Sequence, residues 1–258
     1  MVSSRSVLRY PGGKYRARKI LYNETPKQVS TVLAPFLGGG SFELYLTSNN
    51  IEVIGTDNFC ELMMFWEVLL SRPQELYVYI KQYLNKVDKE TFNSLKDNII
   101  NKKYDDNIEL AGNFFIVNRC SFSGSTLSGG YSRDSSVNRF NMSSIEKVRD
   151  FDNKLLSTTC LDYRESIEKY HNVDFIFLDP PYFLEKSNLY GVKGKNHKDF
   201  DHIEFFETMK NVDTKFMITY NKNNDIETLW KDFNIIDTSW KYGMNKSKKS
   251  SEIIIKNF

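Results

Sequence analysis

"VSTVLAPFLGGGSFELYLTSNNIEVIGTD" (Val29–Asp57) decides the fold. A β-branched apolar run, Val29–Phe36, meets three glycines. A short helical stretch with Phe42, Leu44, Tyr45 and Leu46 follows, and "EVIGTD" closes it as a second strand. Strand, glycine loop, helix, strand is the opening unit of a doubly wound sheet. Glycine lets the backbone approach a ligand closely and reach positive φ, and the helix start offers unpaired N–H groups. Asp57 ends the second strand, where a carboxylate can accept hydrogens from ribose hydroxyls. The run has neither Gly-Lys-Ser/Thr nor the dinucleotide spacing. It therefore points to an adenosine ligand without a phosphate chain.

The second informative stretch is "DFIFLDPPYF" (Asp174–Phe183). Phe175–Leu178 read as a buried strand. Asp179, two prolines and Tyr182 then stop it at a rigid corner, since proline fixes its own φ and restricts the residue before it. In open α/β sheets ligands sit at the carboxyl ends of strands. Downstream, "HIEFFETMKNV" reads as a helix and "KFMITYN" as a strand. "FNIIDTSW" and "SEIIIKNF" read as an antiparallel hairpin around a lysine-rich loop.

The rest of the chain is less regular. Residues 60–110 carry apolar positions at helical spacing, a Met and aromatic stripe that reads as core. Gly112–Ser144 is rich in small polar residues and reads as loop or irregular hairpin. Residues 146–160 read as weakly helical. The expected architecture is a Rossmann-like α/β sheet, doubly wound, with a C-terminal antiparallel hairpin. Residues 1–58 and 157–258 form its cofactor-binding catalytic domain, and residues 59–156 a mostly helical inserted region.

Composition narrows the class. With 258 residues, 40% hydrophobic and 14% aromatic, the chain can bury a substantial core. No apolar run approaches transmembrane length, and the N-terminus has no signal-peptide core. Cys60, Cys120 and Cys160 are distant and without metal spacing, so they read as free thiols in a reducing, cytoplasmic compartment. His171, His197 and His202 show no ligand spacing either, and no metal is expected. Net charge is only +2, yet residues 1–35 hold seven Lys/Arg against Glu24 alone, and residues 241–251 hold four lysines and no acid. Basic ends fit a polyanion partner.

Together these motifs resemble the Dam-like family of DNA adenine amino-methyltransferases, in the family's order and over nearly the whole chain. "RYPGGK" (Arg9–Lys14) is similar to its N-terminal cofactor motif and "PFLGGGSF" (Pro35–Phe42) to its glycine loop. "TDN" (Thr56–Asn58) is similar to the ribose acid, and "NRCSFSG" (Asn118–Gly124) to the entry into target recognition. "LDYRE" (Leu161–Glu165) is similar to the acid near the cofactor's adenine, "DPPY" (Asp179–Tyr182) to the catalytic tetrapeptide, and "MITYN" to a closing motif.

The resemblance implies S-adenosylmethionine as methyl donor, S-adenosylhomocysteine as product and double-stranded DNA as partner. In a bacterial, phage or viral setting, a cognate restriction nuclease is a possible second partner. It implies that Tyr10, Lys14, Phe36, Gly38, Gly40, Ser41, Phe42, Asp57, Asn58, Asp162, Tyr163 and Asp179 line the cofactor site, and that Asp179, Pro180, Pro181 and Tyr182 carry the chemistry. An exocyclic amine is a poor nucleophile because its lone pair is delocalised. Acceptors at Asp179 and the Pro180 carbonyl localise that pair, and Tyr182 offers a stacking face. A base inside a duplex cannot reach such a corner, so flipping is implied.

DNA contacts are expected from Arg9, Arg119, Phe122, Ser125, Thr126, Arg133 and Arg139. Relatives that methylate GATC carry a guanine-reading arginine in the hairpin after the "NR…G" segment. Here Ser123–Gly130 has none, which points to a different adenine-containing target. Two alternatives share these motifs: an RNA base methylase with the same corner, and an inactive DNA-binding relative.

Overall fold

The computed structural model describes residues 4–182, 200–240 and 251–258. Seven strands form one sheet: β1 (Thr31–Ala34), β2 (Glu52–Asp57), β3 (Leu156–Cys160), β4 (Phe175–Leu178), β5 (Phe216–Asn221), β6 (Asn234–Thr238) and β7 (Glu252–Lys256). Their order is β3-β2-β1-β4-β5-β7-β6. The first five run parallel, and β7 lies antiparallel between β5 and β6. This is the expected doubly wound sheet with its closing hairpin. The strand order reverses between β1 and β4, so a crevice opens beyond their carboxyl ends.

β4 is buried at every position, with Phe175, Ile176, Phe177 and Leu178 no more than 1% exposed. A parallel strand covered on both faces needs such a continuous apolar run. Burying each large side chain contributes roughly 1.5–3 kcal/mol. Helices α1 (Arg18–Glu24) and α2 (Glu43–Thr47) flank β1 in the chain. Between β2 and β3 lie six helices: α3 (Cys60–Ser71), α4 (Pro73–Lys81), α5 (Lys89–Ile100), α6 (Asn107–Cys120), α7 (Arg133–Asn138) and α8 (Met142–Arg149). Their core is continuous with one face of the sheet. Phe65 sits at its centre, stacked on Phe114 and Phe115 at 5.9 and 6.0 Å. Helix α9 (Tyr163–Lys169) follows β3, α10 (His202–Met209) precedes β5 and α11 (Asn224–Leu229) follows it.

Three expectations fail. Gly112–Ser144 is irregular only in its middle, 121–132, and helical on either side. Helix α6 continues to Cys120 and α7 occupies 133–138; between them lie two single-turn 3-10 helices, Phe122–Gly124 and Thr126–Ser128, closed by an antiparallel bridge from Ser121 to Tyr131. Its buried polar residues are held internally: Asn118 and Ser121 are fully buried and hydrogen-bonded, and buried Asn113 accepts the Tyr79 hydroxyl on Oδ1. The stretch 146–160 contains a strand, β3, that lacks apolar alternation because it lies at the sheet edge and only Leu156 is buried. Cys60 and Cys160 are joined in a disulfide, and only Cys120 is a free thiol. Spacing could not reveal a pair brought together by β2–β3 pairing. No described helix is long and apolar enough to cross a membrane. His197 and the lysines of 241–250 lie outside the described residues.

Candidate active site

Asp179 leaves β4 at the strand-order reversal, and three elements converge on it. Lys14, 4% exposed, places Nζ 2.6 Å from Asp179 Oδ2 and also donates to the Gly12 carbonyl at 3.0 Å. Thr219, fully buried on β5, donates its hydroxyl to Oδ1 at 2.6 Å. Both carboxylate oxygens are therefore held, one by a charge-assisted bond, and the plane of the acid is fixed. Tyr182 lies beside it, with Lys14 Nζ 4.9 Å from its ring centroid and Tyr220 6.1 Å away, centroid to centroid. Tyr220 in turn shares a hydrogen bond with Nδ1 of His202, the first residue of α10. Pro180 is buried and Pro181 half-buried.

Glu43 opens α2 only 3% exposed, and its Oε2 accepts the Phe42 N–H at 3.1 Å. Burial above all, with the charge of Asp179, pushes this carboxyl up to about 8 against the pull of the backbone amides of Glu43 and Phe42 and of Lys14. The folded chain thus keeps the proton to higher pH than the unfolded chain does. Stability from this group is complete below about 4.5 and is lost as pH rises through 8. Glu43→Gln should remove that loss. Between pH 6 and 9 the wild-type melting temperature should fall at least 2–4 °C further than the variant's, about 1 kcal/mol for a chain of this size. Parallel thermal melts check this, and identical slopes would exclude Glu43 as the source.

The glycine loop fits a nucleoside. Gly38 and Gly40 hold φ of 48° and 62°, in the left-handed region open to glycine. A Cβ on Gly39 would sit 2.5 Å from Tyr10 Cβ, and one on Gly38 2.9 Å from the Tyr10 ring, so Tyr10 packs directly on the loop. Trp66 of α3 donates Nε1–H to the Gly38 carbonyl at 3.0 Å. Asp57 closes the other side, accepting Gly38 N–H on Oδ2 and Phe59 N–H on Oδ1, each at 3.0 Å. Burial pushes its carboxyl up to about 6, opposed by the amides of Gly38, Phe59 and Asn58. Phe36 stacks on Tyr163 at 5.6 Å, and Phe200 and Phe205 complete the aromatic group. Ser41 abuts the Gly13 turn and Asn58 is exposed.

Several predicted side chains are engaged elsewhere. Phe42 is fully buried against Phe177, 4.6 Å away, and is core. Asp162 caps α9 and pairs with Arg164 at 2.7 Å. Arg9 donates to the carbonyls of Arg119 and Ser121 and to Ser135 Oγ. Arg119 donates to the carbonyls of Arg139 and Val7. Burial, reinforced by the charges of Arg9 and Arg139, pulls the Arg119 guanidinium down to about 10. The Thr126 hydroxyl is buried between Gly124 and Asn118. Arg9, Arg119 and Thr126 thus act as internal struts. Phe122 is 70% exposed, Arg133 and Arg139 are exposed and Ser125 is half-buried. Sequence reasoning missed Thr219, Glu43 and Trp66. Only Thr219 carried a signal, inside "MITYN".

A glycine loop and an Asp-Pro-Pro-Tyr corner facing each other across the switch point of a parallel sheet define a group-transfer enzyme acting on an amino nitrogen. The family description "D12 class N6 adenine-specific DNA methyltransferase" matches residues 10–244, and the chain belongs to that family. It is an N6-adenine-specific DNA methyltransferase. Among similar proteins is "Type II methyltransferase M.CviBI" of Paramecium bursaria Chlorella virus NC1A, 23% identical over 216 residues, covering 80% of this chain and 79% of the viral one. Another is the "DNA N-6-adenine-methyltransferase" of Escherichia phage P1, 23% identical over 185 residues, covering 69% of this chain and 24% of the phage protein. A solved S-adenosylmethionine-dependent methyltransferase from Agrobacterium tumefaciens overlays with a TM-score of 0.38 and 10% identity, over 93% of this chain and 60% of that one, too loosely to argue from.

Proposed function

We propose that the Asp179 corner methylates the amino group of an adenine turned out of duplex DNA. The observation that carries this reading is the double clamp on Asp179 by Lys14 and Thr219. A carboxylate held in plane can aim a free lone pair at one amino hydrogen, and the stiff Pro180 carbonyl takes the other. Charge developing on the amine is stabilised without a full proton transfer beforehand. Pro181 stiffens the turn, and Tyr182, fixed between Lys14 and Tyr220, supplies the stacking face. Unstacking the base costs a few kcal/mol, which this pocket must offset. Incubation with radiolabelled donor and matched duplex DNA and RNA tests the reading. Label should enter DNA, at adenine; label confined to RNA would overturn it.

When bound, S-adenosylmethionine supplies an electrophilic methyl on a sulfonium centre. Tyr10, Lys14, Gly38, Gly40, Ser41 and Asp179 would hold its methionine side. Asp57 and Asn58 would hold its ribose, and Phe36, Asp162 and Tyr163 its adenine. Asp57→Ala should weaken S-adenosylhomocysteine about tenfold or more while DNA affinity stays within about twofold. It removes a hydrogen-bonded charge worth roughly 1.5–3 kcal/mol. Calorimetry with the product decides this, and an unchanged dissociation constant would remove Asp57 from the site.

We assign residues 59–156 to target recognition, and 1–58 with 157–258 to catalysis. Arg9 carries a direct link between them: its guanidinium reaches Ser135 of α7, while Lys14, five residues on, reaches Asp179. Phe122, Arg133 and Arg139 belong to the segment that this link ties to the catalytic part. Phe122 suits the gap left by the flipped base. Arg133 and Arg139, with Ser125, suit base edges, and the exposed Val137, one turn from Arg133, suits a thymine methyl. The struts Arg9 and Arg119 add positive field rather than base contacts. The target is a short adenine-containing site other than GATC. Arg133→Ala should relax one position by about 1–3 kcal/mol of discrimination, read by sequencing that detects methyladenine directly. Methylation confined to GATC would overturn this assignment. A cognate restriction nuclease in the same host cytoplasm is the partner such a modification enzyme would serve.

A further inference from the structure

Cys60 and Cys160 join two segments that the cofactor reading places on one ligand. Cys160 ends β3, in register with Asp57 on β2. Cys60 opens α3, three residues after Asp57. The surrounding bonds form a ring. The Asp57 carbonyl accepts the Leu161 N–H at 3.2 Å, and its carboxylate accepts the Phe59 N–H. The disulfide closes the remaining side, between the turn that carries Asp57 and the turn that carries Asp162. Beside the sheet bonds, Thr56 Oγ1 and Ser166 Oγ, 2.6 Å apart, link β2 to α9 on this side. Cys60 is exposed and Cys160 half-buried, so an external thiol can reach the bond. Cys120, buried in α6, takes no part.

We propose that Cys60 and Cys160 are a reversible redox modification site at the rim of the cofactor pocket, and that closing the bond tightens cofactor binding. A small-molecule thiolate attacks the exposed Cys60 sulfur. The S–S bond breaks, Cys160 leaves as a thiolate that takes a proton from water, and a mixed disulfide remains on Cys60. A second thiolate displaces Cys60 in the same way. The protein gains two electrons and two protons as two thiols, and the reductant becomes its own disulfide. A small-molecule disulfide runs the sequence backwards. In a reducing cytoplasm the pair rests open, and oxidative conditions close it. With the bond closed, the turns that present Asp57 and Asp162 are already ordered, so less freedom is lost when ligand arrives. With it open, that ordering must accompany binding.

The inference rests on the adenosine side of the cofactor reading, and calorimetry of the full chain with S-adenosylhomocysteine separates the two. Oxidised wild type should bind about three- to tenfold more tightly than the same protein in dithiothreitol. Cys60→Ser and Cys160→Ser should bind like reduced wild type and ignore dithiothreitol, whereas Cys120→Ser should respond as wild type does. Mass spectrometry of the alkylated, air-oxidised protein should leave Cys60 and Cys160 unlabelled and two hydrogens lighter as a pair. Equal dissociation constants with and without reductant, or full alkylation of both residues after oxidation, would overturn the redox site and leave the cofactor reading standing. Oxidised protein that binds no product at all would overturn the cofactor reading itself, and the redox site with it.

Discussion

Asp179→Ala should lower methyl transfer about 100- to 1000-fold, the usual effect of deleting a preorganised polar group that meets charge developing in the transition state. The structure adds a second consequence. Lys14 is 4% exposed, and Asp179 is its counter-charge. Removing one partner of a fully buried ion pair costs about 3–5 kcal/mol, and the loss here is smaller because Asp179 is 22% exposed. The alanine variant should therefore also melt lower, by roughly 2–4 °C for each kcal/mol in a chain of this length. Activity and stability must be measured together, since an unfolded protein is inactive for a trivial reason. The double variant Asp179→Ala with Lys14→Met removes the orphaned charge. It should recover most of the melting temperature and none of the activity. Near-normal turnover in either folded variant would defeat the proposed mechanism.

The second large effect lies away from the chemistry. Asn118→Ala should destabilise the protein by about 3–5 kcal/mol, in the exceptional range for one substitution. Asn118 is fully buried, and its amide is a hub. Oδ1 accepts the Arg9 N–H at 2.9 Å, while Nδ2 donates to the Arg9 carbonyl, the Gly124 carbonyl and Thr126 Oγ1. Alanine takes this partner from the Arg9 N–H and carbonyl, at roughly 1–3 kcal/mol each, while the Gly124 carbonyl and Thr126 hydroxyl keep each other. The same change removes the backbone tie between Arg9 and the segment carrying Phe122, leaving the guanidinium bonds alone to hold them, so DNA binding should weaken with stability. Equilibrium denaturation in urea measures the first and a fluorescence titration of duplex DNA the second. A loss below about 1 kcal/mol would show that water or backbone shifts replace the hub.

The sheet was legible because its signals are local. β2 is found at its expected bounds, Glu52–Asp57, and β4 as an unbroken apolar run, since a strand buried on both faces writes its environment into consecutive residues. β3 was missed for the converse reason. An edge strand with one buried residue has no pattern to read. The stretch 112–144 misled because small polar residues usually mark loops. Here Asn113, Asn118, Ser121, Thr126, Ser135 and Ser144 are buried, and burial is a property of the fold rather than of the residue.

The site divides along the same line. Glycines at 38 and 40, an acid at 57 and Asp-Pro-Pro-Tyr at 179–182 carry their meaning in order and spacing, because each lies at a strand end whose position the chain itself announces. By itself, then, the sequence determined the sheet type, the family and the two halves of the crevice. Tertiary structure alone decided which groups restrain them. Lys14 meets Asp179 across 165 residues, Thr219 meets it across 40, Asn118 meets Arg9 across 109, and Cys60 meets Cys160 across 100. It also engaged Arg9, Arg119 and Thr126 in hydrogen bonds within the chain. Hydrogen-bond geometry at 2.6–3.0 Å is set by the packing of strands and helices distant in the chain, and residue type and spacing along it carry no record of that packing.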